Sequence, residues 1–218
     1  MNIYAFYEKI DDKIDIEYKK IIKLWKDSWS KNGWNPIVLN LNDSKKHPEY
    51  EDFYDIIQQH PSIHKRNYID LCYLRWLAIA NLGGWYTDID MININFKPIN
   101  FTNEFVTTSY PTVVCPATLY MPKEKYQKYI VDTLQNYRFP CNHVYDKNEK
   151  TNLGTSDMMI IYNHKIYKHL DKSLEIQCDY NKDINWKKFK IVHFHGGCLY
   201  SDVKSRSTII KEYLNQCE

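Results

Sequence analysis

Two aspartates stand one residue apart in the stretch NLGGWYTDIDM, residues 81–91, directly behind a Gly-Gly pair and two aromatics. In an extended strand the side chains at i and i+2 point to one face, with Cα atoms roughly 6.7 Å apart. Asp88 and Asp90 are therefore expected to converge where a short strand ends. Like charges that close repel unless a cation stands between them. Hard carboxylate oxygens suit Mg2+ or Mn2+, which are held by one or two carboxylates and completed by substrate phosphates. Gly83 and Gly84 allow the backbone to turn sharply and a ligand to come close. The plainer alternative gives one Asp to a turn and the other to solvent.

Several elements must position this pair. Residues 2–7 (NIYAFY) read as a first strand. Residues 16–31 show helical spacing, with Ile16, Ile21, Leu24, Trp25 and Trp29 on one side and lysines opposite. After the turn NGWNP comes a second strand, IVLNL, so the chain opens as a βαβ unit. A short acidic helix is expected over residues 49–58, ended by His60-Pro61. The segment RNYIDLCYLRWLAIANLGG is the strongest helix: Ile69, Cys72, Tyr73, Trp76, Ile79 and Ala80 follow i, i+3, i+4, i+7 spacing, and leucines cover much of the rest. Gly83-Gly84 closes it as a glycine C-cap. Arg75 inside this apolar helix is costly unless paired, and a buried salt bridge to the strand below is its structural reading. Trp85, Tyr86 and the Trp25, Trp29 and Trp34 group have rings that could stack on a sugar or base, but read first as core. Further on, strands are expected near 105–109 and 113–120, and a helix over 122–137 with Pro in its first turn. A helix over 154–170 with Thr155 or Ser156 as N-cap follows, then strands over 174–180 and 190–195 and a tail helix near 205–216.

The buried helix ending LRWLAIANLGG and running straight into WYTDID resembles the DxD glycosyltransferases of the GT-A fold. The likeness is to sugar transferases with an Arg-bearing helix, Gly-Gly, an aromatic and DxD, related to glycosyltransferase families 32 and 8. Those positions here are Arg75, Gly83, Gly84, Tyr86, Asp88 and Asp90. Many members carry an Asp three residues before the Arg; here that place is Cys72 and the nearest acid is Asp70. The resemblance implies a single α/β GT-A domain over 1–218, with a Rossmann-like mixed central sheet flanked by helices. Residues 1–95 would form the nucleotide-sugar-binding half and 96–218 the acceptor-side half. It implies Mn2+ or Mg2+ held by Asp88 and Asp90 against the donor diphosphate. IVHFHGG resembles the C-terminal His strand of related retaining enzymes, which makes His193 the third ligand and His195 the fallback. GTSDMMIIYN resembles the helix start beside the anomeric carbon, which makes Asp157, with Asp90, the catalytic pair. Donor contacts are expected from Tyr4, Asp70, Arg75, Gly84 and Asp88. The activity implied is transfer from a nucleotide-sugar, UDP-hexose first and a GDP-linked sugar second, to a glycan, lipid-linked or protein acceptor, with the leaning toward retention. In an inverting enzyme Asp157 would deprotonate the acceptor; in a retaining one it would only orient.

Composition bounds these readings. A chain of 218 residues buries roughly 70% of the surface its unfolded form exposes and needs no disulfide or structural metal for a core. A net charge of +2 without a dense basic stripe argues against nucleic-acid binding. The six cysteines form no CxxC pair, which reads as reduced thiols and a cytoplasmic setting. The N-terminal stretch MNIYAFYEKIDDKID turns charged early, unlike a signal peptide, and no apolar run approaches the ~20 residues of a membrane span. A zinc cluster in HFHGGC lacks a fourth ligand at familiar spacing. Two rivals stand beside the transferase. DIDMI approaches the nucleophile motif of haloacid-dehalogenase-type phosphatases, with CDYNKD as a second acidic pair. A catalytically silent sugar- or nucleotide-binding module is the other.

Overall fold

In the computed structural model, residues 1–59, 66–100, 106–107, 118–136, 157, 161, 168–169, 189–194 and 205–217 are described. Strand alternation sets up the layers. β1 (Asn2–Phe6) turns Ile3 and Ala5 to one face and Tyr4 to the other; β3 (Gly84–Thr87) repeats the division with Trp85 and Tyr86. β1 lies between β2 (Asn35–Leu39) and β3, parallel to both, with Ile3 opposite Trp85 and Tyr4 opposite Tyr86. Beyond β3 the sheet becomes mixed. β6 (Thr118–Met121) is antiparallel to β3 and to β5 (Val106–Thr107), and β7 (Lys168–His169) runs parallel to β5. The resulting order is β2-β1-β3-β6-β5-β7. A separate ribbon pairs β4 (Met91–Asn93) antiparallel with β8 (Ile191–His193).

Each face of the sheet carries its own apolar cluster, as a sheet covered by helices on both sides requires. On one face, α1 (Asp12–Lys31), the β4–β8 ribbon and α7 (Arg206–Cys217) enclose Trp25, Trp29, Trp34, Trp85 and Phe96. On the other, α3 (Tyr50–Gln58) and α4 (Arg66–Ala80) pack Phe53, Ile57, Tyr73, Trp76 and Leu77 against Tyr86 and Leu119. The short α2 (Leu41–Ser44), capped by Asn40, precedes α3. After β6 a helix runs through α5 (Lys123–Tyr126), a π-turn over Gln127–Val131 and α6 (Asp132–Asn136). Trp25, Trp29, Trp34, Trp76 and Trp85 are all buried. Among the described residues no helix is long and apolar enough to cross a membrane.

Several expected boundaries move. α1 begins at Asp12 because the Asp11 side chain accepts from the Lys13 amide and caps it. Ile16 is 64% exposed, since the buried stripe runs through Asp15, Ile21, Trp25, Ser28 and Trp29. Asp15 tolerates burial by accepting from the Tyr7 hydroxyl at 2.8 Å and pairing with Lys19. Pro122 stands at the N-cap of α5, one residue outside the helix. Asp157 and Ile161 are helical, as expected, but Lys168–His169 form a strand where the helix over 154–170 was expected to continue, because they pair with Val106–Thr107. The strand expected over 174–180 lies outside the described residues.

Candidate active site

The site is built where α4 hands the chain to β3. Leu82 and Gly83 close the helix, with the Gly83 amide donating to Ile79 O at 2.8 Å and φ at +69°, the left-handed cap that glycine adopts without a Cβ penalty. A Cβ on Gly83 would stand 2.6 Å from the Lys123 backbone nitrogen. The close approach that glycine permits is therefore to the start of α5. β3 then crosses the sheet and delivers Asp88 at its far end.

Asp88 and Asp90 converge, but by a turn and not by strand alternation. β3 stops at Thr87, and the Met91 amide donates to Asp88 O at 3.1 Å before β4 begins. The turn is clamped from two sides. Trp29 Nε1 of α1 donates to Met91 O at 2.9 Å. Just past β8, the Phe194 amide donates to Asp90 O at 2.9 Å, and His193 lies opposite Met91 in the ladder. One carboxylate oxygen each of Asp88 and Asp90 and one ring nitrogen of His193 lie within 4.8 Å of one another. Ligand atoms about 2.1 Å from one ion stand at most about 4.2 Å apart, so small side-chain adjustments close the group on a cation. Two hard oxygens and an imidazole nitrogen suit Mn2+ or Mg2+ with positions left for phosphate oxygens.

The surroundings neutralise this acidity in part. Arg75 Nη1 donates to Asp88 Oδ1 at 3.0 Å, and the Tyr86 hydroxyl donates to the same oxygen at 2.9 Å. Arg75 Nη2 donates to Asp157 Oδ2 at 2.6 Å, joined there by Trp76 Nε1 at 2.7 Å. The guanidinium also lies over the Trp76 and Tyr86 rings. Its Nε has no hydrogen-bond partner among the described residues. Burial pushes the Asp88 carboxyl above its ordinary range, with Arg75 opposing and the Asp90 charge adding to the rise. Burial acts on Asp90 in the same sense, yet His193 and Arg206 outweigh it and hold that carboxyl below its ordinary range. Cys72, three residues before Arg75, has its thiol pushed up to about 12 by burial and by the Asp157 charge. Where many of the resembling enzymes carry a carboxylate, this chain therefore holds a neutral group.

Of the residues singled out from the sequence, the structure brings together Arg75, Asp88, Asp90, Asp157 and His193. Three others it does not. Asp70 precedes Arg75 by five residues, about 140° around the helix, and accepts from Gln58 of α3. Gly84 opens β3, about 13 Å along the strand from Asp88, and a Cβ there would meet the Tyr4 ring. The Tyr4 hydroxyl accepts from Asn2 at 3.0 Å, at that same end of β1. His195, and with it the HFHGGC stretch past Phe194, lies outside the described residues. Two contributors were missed. Trp76 belongs by spacing to the apolar stripe of its helix, yet its indole N–H donates to Asp157. Arg206 donates to Asp90 Oδ2 at 3.0 Å; its one signal in the sequence is a cation in the first turn of a helix, where the helix dipole disfavours it.

No protein-family model matches the sequence, and no curated protein matches it. Solved structures do match. The galactosyltransferase LgtC, in complex with donor and acceptor sugar analogues, is 10% identical with a TM-score of 0.57, covering 100% of this chain and 95% of its own. An active-site mutant of LgtC is 9% identical with a TM-score of 0.51, over 99% and 96% of the two chains. A glycosyltransferase involved in glycosylating the major capsid of PBCV-1 is 15% identical with a TM-score of 0.50, over 97% of each chain. The fold is the GT-A fold of glycosyltransferases, spanning the chain as one domain.

Proposed function

We propose that this chain is a metal-dependent glycosyltransferase. It moves a sugar from a nucleotide-sugar, a UDP-hexose first and a GDP-linked sugar second, to a hydroxyl of a glycan, lipid-linked or protein acceptor. The observation that carries the reading is the Asp88, Asp90 and His193 group, its ligand atoms within 4.8 Å of one another at the end of β3 in a GT-A sheet. A divalent cation held there, Mn2+ or Mg2+, would neutralise charge building on the diphosphate as the sugar leaves. The chain's own residues do the positioning. Asp88 and Asp90 supply oxygens, His193 a ring nitrogen. Arg75 fixes Asp88, and residues 1–95 form the donor half.

Asp157 supports the retaining form of the reaction. It is 1% exposed and its Oδ2 already accepts from Arg75 and Trp76. A carboxylate so occupied orients its neighbours and is ill placed to take a proton from an acceptor hydroxyl. The phosphatase reading fares worse, since Asp88 follows a β3 of four residues and lies in a turn, whereas that chemistry needs acids ending a long first strand. The test is release of free nucleotide from a panel of UDP- and GDP-sugars with Mn2+. The wild-type chain is expected to turn over one donor, EDTA to stop it and Asp90→Asn to abolish it. Turnover by Asp90→Asn at the wild-type rate would remove the metal assignment. Metal-dependent nucleotide binding without any release would favour the silent module.

A further inference from the structure

Asp90 receives a cation that the reading above leaves without a task. Arg206, the first residue of α7, donates from Nη1 to Asp90 Oδ2 at 3.0 Å, while His193 Nε2 faces the other oxygen, Oδ1, at 3.3 Å. A guanidinium in the first turn opposes the helix dipole, so the stability of α7 does not call for it. The same turn is anchored from α1. The Ser207 amide and hydroxyl donate to the two carboxylate oxygens of Glu17 at 2.7 and 3.0 Å. Behind it Ile209, Ile210 and Tyr213 are buried, with Tyr213 edge-on to Phe194, the residue whose amide binds Asp90 O. Arg206 is thus delivered by a docked helix whose anchor and packing both lead back to the Asp88–Asp90 turn.

We propose that Arg206 is a positioning residue of the metal site. It holds Asp90 Oδ2 so that Oδ1, beside His193 Nε2, is the oxygen presented to the cation, and Glu17 fixes Arg206 through Ser207. The inference rests on the metal-dependent reading given above. Its sign is diagnostic. A guanidinium repels a nearby divalent ion, so if its charge dominates, its removal tightens metal binding. If orientation dominates, its removal weakens binding, and partners standing behind metal ligands are typically worth 10–100-fold in affinity.

The experiment is a Mn2+ titration of the full chain, alone and with UDP, read from the loss of the free-ion electron paramagnetic resonance signal. The variants are Asp90→Asn, Arg206→Met, Arg206→Lys and Glu17→Gln, with circular dichroism as the check on folding. Arg206→Met is expected to weaken Mn2+ binding about 10-fold or more, Arg206→Lys to recover part of the loss, and Glu17→Gln to weaken it in the same direction by less. Equal or tighter binding by Arg206→Met overturns the inference. If that variant does not fold, Glu17→Gln decides, and unchanged binding there overturns it. Should the wild type and Asp90→Asn both take up no Mn2+, the metal reading itself falls and this inference with it, an outcome distinct from a wild type that binds and an Arg206→Met that matches it.

Discussion

Arg75 spans two carboxylates, Asp88 through Nη1 and Asp157 through Nη2, and Arg75 and Asp157 are both buried. Removing one partner from such a group strands charge and typically costs 3–5 kcal/mol. Asp157→Ala also frees the Trp76 indole N–H. It should lower unfolding free energy by about 3 kcal/mol or more, read from urea denaturation; a loss within about 0.5 kcal/mol, typical of a surface change, would show that the pairing does not matter. Asp88 and Asp90 make opposite pH statements. The folded-state pKa of Asp88 lies above 3.8, so its contribution is present below that value and is lost as pH rises through the raised one. That of Asp90 lies below 3.8, so its contribution is present above it and is lost as pH falls through the lowered one. A cation binds the ionised form of Asp88 and offsets its penalty. The Mn2+-induced rise in melting midpoint should therefore shrink as pH falls toward the raised Asp88 value, and a rise independent of pH would contradict it. Asp88 and Asp90 were legible because two carboxylates one residue apart demand a counter-charge, and His193 only through the likeness of IVHFHGG to the His strand of related transferases. Arg206 was not, because only the packing of α7 on α1 brings it 116 residues back along the chain.

Between α4 and β3, Gly83 is the residue on which the boundary turns. Gly83 combines φ of +69° with a Cβ position 2.6 Å from the Lys123 nitrogen, whereas Gly33, at φ +89°, would meet only Pro98 at 3.7 Å. A left-handed non-glycine residue costs roughly 1–2 kcal/mol. Gly33→Ala should lose about that much, and Gly83→Ala clearly more because α5 must also move. Thermal midpoints of the two variants separate the effects, and equal losses would contradict the close approach. Long periodic elements such as α1, α4 and α7 were readable because burial repeats at helical spacing. What escaped was set by partners far away. The convergence of Asp88 and Asp90 comes from a turn clamped by Trp29 and Phe194. β7 exists only through its pairing with β5, and the π-turn over Gln127–Val131 leaves no period to read. The four residues of α2 are held by a capping box between Asn40 and Asp43.

At the scale of the molecule, two apolar clusters sandwich one mixed sheet, and the candidate site lies where α1, α4, α7 and β8 all reach the turn after β3. The GT-A architecture was legible from the Arg-helix, Gly-Gly and DxD order, and LgtC aligns along 100% of this chain at 10% identity. The two chains thus share the fold at little sequence identity. The donor base was not legible, because a nucleotide pocket is assembled from several loops and no one stretch carries its signature. The most direct test of the central claim is a thermal-shift series with UDP, GDP and CMP, each with Mn2+, Mg2+ or EDTA. A ligand at 100 times its Kd adds about 2.7 kcal/mol, and each kcal/mol moves the midpoint of a domain this size by roughly 2–4 °C. One nucleotide should raise the midpoint by about 5–10 °C in Mn2+, with the rise lost in EDTA and in Asp88→Asn. No shift from any nucleotide with either metal, or a shift that EDTA leaves unchanged, would contradict a metal-dependent nucleotide-sugar transferase.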